Sequence, residues 1–185
     1  MKVFDFDNTI YLGESSVDFF LLMVKKNKNL VFYLPKVFYA LLRYKLCLVS
    51  KEKLENIINK YLKVIIKDKK IILDLVDEFW KNNYTKLDNK MLELIDKDDV
   101  IITAGPNFLI NGIRDRLNTK NIISTEVDLD KCEIINFNFG FNKVISYKNK
   151  YGDKKIDEFY TDSYNDKPLM ELAEKSYLVK KGKIE

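Results

Sequence analysis

The sequence predicts an α/β protein in which a parallel sheet is flanked by helices and an all-helical segment is inserted after the first strand. Three observations lead there. A short apolar strand over residues 2–6 carries Asp5 and runs into a turn at Asp7-Asn8-Thr9. From about residue 17 to 84, apolar residues recur at helical spacing with no strand pattern between them. Beyond that block, short apolar runs alternate with amphipathic segments, the order that builds a parallel sheet covered on both faces.

Each element has its own signal. Phe19, Phe20, Met23 and Val24 repeat at helical spacing, and Phe32, Val37, Phe38, Leu41 and Leu42 mark a second apolar face. Leu54, Ile57, Ile58, Tyr61 and Leu62 give a third, with Ser50 as the expected N-cap before Lys51-Glu52-Lys53. Residues 71–80 are a fourth helix and 90–95 a fifth. A buried strand is expected over 99–103, a helix over 108–117 and a strand over 121–125. The alternation over 132–139 is typical of a hairpin or edge pair. Helix 143–151, strand 158–161, helix 167–175 and a short strand at 177–179 complete the chain.

Composition removes whole classes of chemistry. The 185 residues include no histidine, which excludes Ser-His-Asp and Cys-His catalysis and histidine metal sites. Hydrolytic chemistry must then run on carboxylates, lysines, hydroxyls and a hard metal ion. Cys47 and Cys132 are far apart and read as packing residues of a reducing compartment. The net charge is +4, and arginine occurs only at 43, 114 and 116. Lysines scattered among acids read as a solvated surface rather than a nucleic-acid site. The most apolar stretches, 17–24 and 30–42, are too short or too interrupted to span a bilayer, so stable membrane insertion is not expected. The chain opens Met1-Lys2-Val3-Phe4-Asp5 with no leader pattern, and a cytoplasmic location is expected.

Ligands of such sheets bind at the carboxyl ends of strands. There the first strand offers Asp5 and Asp7, and the strand over 99–103 offers Thr103-Ala104-Gly105-Pro106. The strand over 158–161 offers Asp162 and Asp166. Four acids at one mouth repel unless a divalent cation lies among them, and an oxygen-only set favours Mg²⁺.

These residues resemble the haloacid-dehalogenase superfamily, in its phosphoserine-phosphatase-like branch. The resemblance rests on Asp5-x-Asp7-x-Thr9, the strand-ending Thr103, a lysine ahead of the last motif, and Asp162-x-x-x-Asp166 after an apolar strand. It implies a Rossmann-like core of residues 1–11 and 86–185 with a helical cap of 12–85. It further implies Asp5 as nucleophile and Mg²⁺ ligand, and Asp7 as acid and then base that also binds metal through its carbonyl. Thr103 would bond a phosphoryl oxygen, with Thr9 and Gly105 beside the phosphate. Asp162 would ligate Mg²⁺ and Asp166 would support the metal site. The lysine is open among Lys143, Lys148 and Lys150; Lys143 is preferred because it follows Gly140-Phe141-Asn142 and opens a helix. Glu14 stands where phosphoserine phosphatases carry a substrate-binding glutamate, and Arg43 is the one arginine of the cap. Two departures from the pattern stand out: Asn8 replaces a glycine common in this loop, and Gly105 stands where many relatives have serine.

The function this implies is a Mg²⁺-dependent phosphatase acting on a small phosphorylated metabolite through an aspartyl-phosphate on Asp5. The alternative is a non-catalytic phosphate- and metal-binding regulatory protein on the same fold. The aromatic residues Phe32, Tyr33, Phe38 and Tyr39 pack the cap, or else meet substrate, lipid, a partner or a second copy.

Overall fold

A computed structural model describes residues 1–46, 48–180 and 182–185, with the side chains of Leu34, Phe38 and Lys45 left out of the description. Expectations resting on Cys47 and the Phe38 side chain lie outside the described residues.

A seven-stranded sheet forms the centre. Its strands are β1 (Lys2–Phe4), β2 (Val100–Pro106), β3 (Asn121–Asp128), β4 (Glu133–Asn136), β5 (Ile156–Thr161), β6 (Ala173–Lys180) and β7 (Lys183–Ile184). Their order is β4-β3-β2-β1-β5-β6-β7. The five inner strands are parallel, and β4 and β7 close the edges as antiparallel strands. From β1 the chain goes to β2 on one side, while β5 and β6 lie on the other. The strand order therefore reverses at β1, where a crevice opens at the carboxyl ends.

Side chains alternate between two cores, as the period of a strand requires. Phe4, Ile101 and Tyr160 face one core, which includes Phe19, Phe79 and Trp80. Val3, Val100, Ile102 and Phe159 face the other, with Val144, Tyr147 and Leu169. The helices over the first face include α1 (Ser15–Lys26) and α4 (Lys69–Asn83). Between these two in sequence stand α2 (Leu34–Lys45) and α3 (Lys51–Ile65), which have a cluster of their own. It joins Ala40 and Leu54 to Phe137, just beyond the edge strand β4. Ser50 is the N-cap of α3, its side chain accepting from the Lys53 amide at 3.3 Å. The helical segment thus contributes α1 and α4 to the sheet's core, where Leu62 and Ile65 at the end of α3 also pack, while α2 and the rest of α3 lie against the β4 edge.

A short helix α5 (Asn89–Glu93) leads into β2, and α6 (Asn107–Asn111) follows that strand. The helix expected over 108–117 therefore ends early and gives way to a 3₁₀ turn at Arg114–Arg116. Trp80 Nε1 donates to the Leu109 carbonyl at 2.7 Å, which also accepts from the Gly112 amide at 3.2 Å, while the Ile113 amide turns to the Ile110 carbonyl at 3.1 Å in place of the next α-helical bond. A Cβ on Gly112 would stand 2.4 Å from Val76, so α4 presses on the chain where the helix stops. Helix α7 (Phe141–Tyr151) agrees with its prediction, whereas α8 covers only Lys167–Met170. The expected helix over 167–175 is overturned because Ala173 and Lys175 pair with Ile156 and Glu158 in the parallel ladder. Sheet pairing outweighs the high helical propensity of Leu169-Met170-Glu171-Leu172-Ala173-Glu174-Lys175, which is what makes the stretch read as a helix.

Candidate active site

Asp5 leaves β1 directly at the crevice, with its amide on the Tyr160 carbonyl at 2.8 Å. After it the chain turns sharply. Asn8 adopts φ 56°, a left-handed conformation that asparagine tolerates, which explains why the glycine of other chains is dispensable here. The turn brings Asp7 round to the start of α1, where the Ser15 amide donates to Asp7 Oδ1 at 2.7 Å. The two carboxylates thus share one mouth although they are only two residues apart.

Lys143 reaches the same place from the first turn of α7. Its Nζ lies 2.7 Å from Asp5 Oδ1 and 2.7 Å from Asp166 Oδ2. All three residues are buried, none more than 6% exposed. Asp166 Oδ2 also accepts from Thr161 Oγ1 at 3.1 Å. The structure thus singles out Lys143 from the three lysines in question. Lys150 Nζ bonds the Ile122 carbonyl instead, and Lys148 is exposed.

Charge is unbalanced here. Asp5, Asp7, Asp162 and Glu14 all have carboxyls raised above their ordinary values, in each case mainly by burial. For Asp5 the rise reaches about 8: Lys143 opposes it, while Asp166 and Asp7 add to it. For Asp7 the Ser15 amide opposes burial, and Asp162 adds to it. Lys143 is held charged, because Asp5 and Asp166 more than offset its own burial. One lysine among this many acids leaves an excess of negative charge in a place of low dielectric. Such an all-oxygen set suits a hard divalent cation. Among the described residues no three acidic or thiol side chains form a ready-made cage. Asp162, at the end of β5, lies close enough to Asp7 for its charge to help raise the Asp7 carboxyl. Asp166, expected at the metal, has Oδ2 engaged by Lys143 and Thr161.

The end of β2 carries a device that sequence reading missed. Ile102 pairs with Ile123, but the next pair is Pro106 with Thr125, so β2 bulges through Thr103-Ala104-Gly105. A bulge leaves carbonyls without ladder partners. Asn138 Nδ2 donates to the Thr103 carbonyl at 2.7 Å, and Thr125 Oγ1 to the Ala104 carbonyl at 2.8 Å. The Asn138 amide donates in turn to Thr125 Oγ1 at 3.1 Å. Thr103 Oγ1 accepts from the Gly105 amide at 2.9 Å. A Cβ on Gly105 would stand 3.3 Å from Thr103 Oγ1 and 3.4 Å from Ser16 Oγ, so the absent serine side chain faces a hydroxyl brought by α1. Asn138 lies on the polar side of the alternation Asn136-Phe137-Asn138-Phe139, which is why it reads as exposed in sequence although it is fully buried.

The remaining candidates divide. Thr9 is fully buried with its hydroxyl unpaired, beneath the turn that carries Asp7. Glu14 accepts from Asn8 Nδ2 at 2.7 Å and lies close enough to Asp7 and Asp162 to feel both charges. Arg43 lies on α2 over the Tyr39 ring, 5.7 Å from its centroid, and makes no hydrogen bond to a site residue among the described ones. A hollow of about 610 Å³ borders Asn165, Gly140 and Phe141 on the core side and Tyr44, Leu48 and Val49 on the other. Tyr44 OH meets Asn142 Nδ2 at 2.9 Å across it. Neither this hollow nor a larger one of about 850 Å³ over β3 is lined by a candidate site residue, whereas one of about 470 Å³ borders Asn8, Gly13 and Asp162.

Residues 3–171 match the model of the haloacid dehalogenase-like hydrolases. The chain belongs to that family. Solved structures agree with the architecture. A protein of unknown function from Bordetella pertussis Tohama I superposes with a TM-score of 0.71 at 18% identity, over 92% of this chain and 85% of that one. A phosphoserine phosphohydrolase-like protein from Francisella tularensis gives 0.55 at 18% identity, over 92% and 82%. The family's branch expected from the motifs is thus represented among the matching folds. No curated protein matches the chain by sequence. Membership makes it a hydrolase on a family fold, and no helix among the described residues is long and apolar enough to cross a membrane.

Proposed function

We propose that this chain is a phosphomonoesterase that works through an aspartyl-phosphate on Asp5. The observation that carries the reading is the buried bridge Asp5–Lys143–Asp166 at the crevice, beside an Asp7 held by the start of α1. Lys143 offers positive charge where phosphoryl oxygens would lie, and its two carboxylate partners hold it in place. Asp5 attacks phosphorus in line and the ester P–O bond breaks. Asp7, its carboxyl raised by burial, gives its proton to the leaving alkoxide. Asp7 then takes a proton from water as that water attacks phosphorus, breaking the bond to Asp5 and releasing phosphate. Mg²⁺ held by Asp5, Asp162 and the Asp7 carbonyl would neutralise charge on the phosphoryl group when bound. The Thr103 hydroxyl, whose oxygen already accepts from the Gly105 amide, would donate to a phosphoryl oxygen, with Asn138 and Thr125 keeping the bulge in shape.

Residues 12–85 would serve as the cap, and within them α2 and α3 would be the part that closes. Their apolar cluster holds them to Phe137 at the β4 edge, so closure would be a shift about that contact, and a hollow of about 470 Å³ beside Asn8 and Asp162 would take the leaving group. A small phosphorylated metabolite fits its size.

Hydrolysis of an aryl phosphate with Mg²⁺, with chelator and with Asp5→Asn tests this. Activity should need the metal and fall at least about 10³-fold in the variant, with a ³²P label from a labelled ester that survives acid quenching and is released by hydroxylamine trapped on the wild type only. Folded protein that binds Mg²⁺ and phosphate without turnover across a panel of phosphate esters would make it a binding protein instead.

A further inference from the structure

Helix α2 has a second face that the fold does not use. Ala40, Leu41 and Tyr44 turn inward onto Leu54, Ile57 and Ile58 of α3. On the other side lie Phe32, Pro35, Tyr39, Leu42 and Leu46, separated by three, four, three and four residues, so they form one stripe along the helix and its flanks. All are exposed, Phe32 at 71% and Tyr39 at 60%. Single exposed apolar residues are ordinary, but five in register are not.

Charge around the stripe is equally one-sided. Residues 19–51 contain Lys25, Lys26, Lys28, Lys36, Arg43, Lys45 and Lys51 and no aspartate or glutamate. Against a net charge of +4 for the chain, the residues outside this run sum to −3. The even scatter of lysines read from the whole sequence therefore does not hold here. Lys26 pairs with Glu78 and Lys51 with Glu55. Among the described residues no carboxylate pairs with Lys25, Lys28, Lys36 or Arg43.

We propose that the outer face of α2 docks on an anionic lipid bilayer surface, with the stripe at the headgroup–acyl boundary and the lysines on the headgroups. A second copy of this chain is a poor occupant, because two faces of the same positive sign would repel. An amphipathic helix with aromatic and aliphatic residues on one side and flanking lysines has the chemistry of an interfacial anchor. Phe32 and Tyr39 are suited to the boundary layer, and lysine stems lie along apolar surface while their charges reach water or headgroup. The helix is far too short to span, so the chain would lie on the surface. This proposal does not depend on the phosphatase reading.

Cosedimentation of the full chain with vesicles tests it, using phosphatidylcholine alone and phosphatidylcholine mixed with phosphatidylglycerol. The chain should pellet with the anionic vesicles and stay in solution with the neutral ones. Lys28→Glu/Lys36→Glu should weaken binding by at least about tenfold, since each lysine near such a surface is worth about fivefold. Phe32→Ser/Tyr39→Ser should also weaken it by about tenfold or more, through lost apolar burial. Both pairs are exposed, and matched melting curves confirm that the variants fold. Wild type that ignores anionic vesicles, or two variant pairs that bind as well as wild type, would overturn the proposal. So would a concentration-dependent dimer in sedimentation velocity that Phe32→Ser/Tyr39→Ser abolishes without any vesicle binding.

Discussion

The crevice and the outer face of α2 invert the usual distribution of residues in opposite senses. At the crevice Asp5, Lys143 and Asp166 are ionisable and buried; along α2, Phe32, Tyr39 and Leu42 are apolar and exposed. A folded chain ordinarily does neither, because burying charge and exposing large apolar surface both cost free energy. Each departure is local, and each is surrounded by ordinary packing that holds it. The crevice borrows stability from two apolar cores, and the stripe from the cluster on the inner side of its own helix. The difference lies in what would complete each region. The crevice lacks positive charge, whereas the α2 face has an excess of it.

The strongest way to break the comparison is Lys143→Ala. It leaves two buried carboxylates without their cation and should cost about 3–5 kcal/mol in urea unfolding. It should also abolish aryl phosphate hydrolysis.

Magnesium sharpens the comparison next. An acid whose folded value is raised binds its proton more tightly in the folded state than in the unfolded one. Its contribution to stability is therefore present below the unfolded value and lost as pH rises through the folded one. For Asp5 that window runs from the ordinary 3.8 up to about 8, and Asp7, Asp162 and Glu14 act in the same direction. Metal-free protein should melt lower at pH 8 than at pH 5. Mg²⁺ at a hundred times its Kd should restore about 2.7 kcal/mol at pH 8 and much less at pH 5, followed by calorimetry. A chain whose melting ignores both pH and Mg²⁺ would not have the excess negative charge described here.

Asn138→Ala comes third. It strands the Thr103 carbonyl and should cost about 1–3 kcal/mol. If Asn138 positions Thr103, kcat should fall by about 10- to 100-fold with a smaller change in KM, and Asn138→Gln should not restore it. An equal fall in activity and in folded fraction would make the residue merely structural.

The smallest effect belongs to the exposed stripe. Leu42→Ser should change stability by no more than about 0.5 kcal/mol, while the same exchange at the core residue Leu109 costs several times more.

Legibility in the sequence follows the range of the interactions. Asp5, Asp7 and Thr103 were legible because each ends an apolar run that must be a strand, and strand ends are where ligands bind. Lys143 was preferred from its place after Gly140, but only the bridge to Asp5 and Asp166 separates it from Lys150 one face-repeat further on. The helix over 108–117 and the one over 167–175 were misread because partners distant in sequence intervene: the Trp80 indole in the first, the β5 ladder in the second. Asn138 was invisible because its partners, Thr103 and Thr125, meet it only when β2 bulges.

The amino-acid sequence by itself determined the α/β order of elements, the inserted helices, the absence of histidine chemistry and the positions of the strand-ending acids. Those properties rest on local periodicity and residue type, which short stretches carry on their own. Tertiary structure alone decided that α1 and α4 join the sheet's core, that Lys143 bridges two buried carboxylates, and that α2 turns an apolar face outward. These are settled by contacts between residues up to 138 positions apart, and no window of sequence contains both partners.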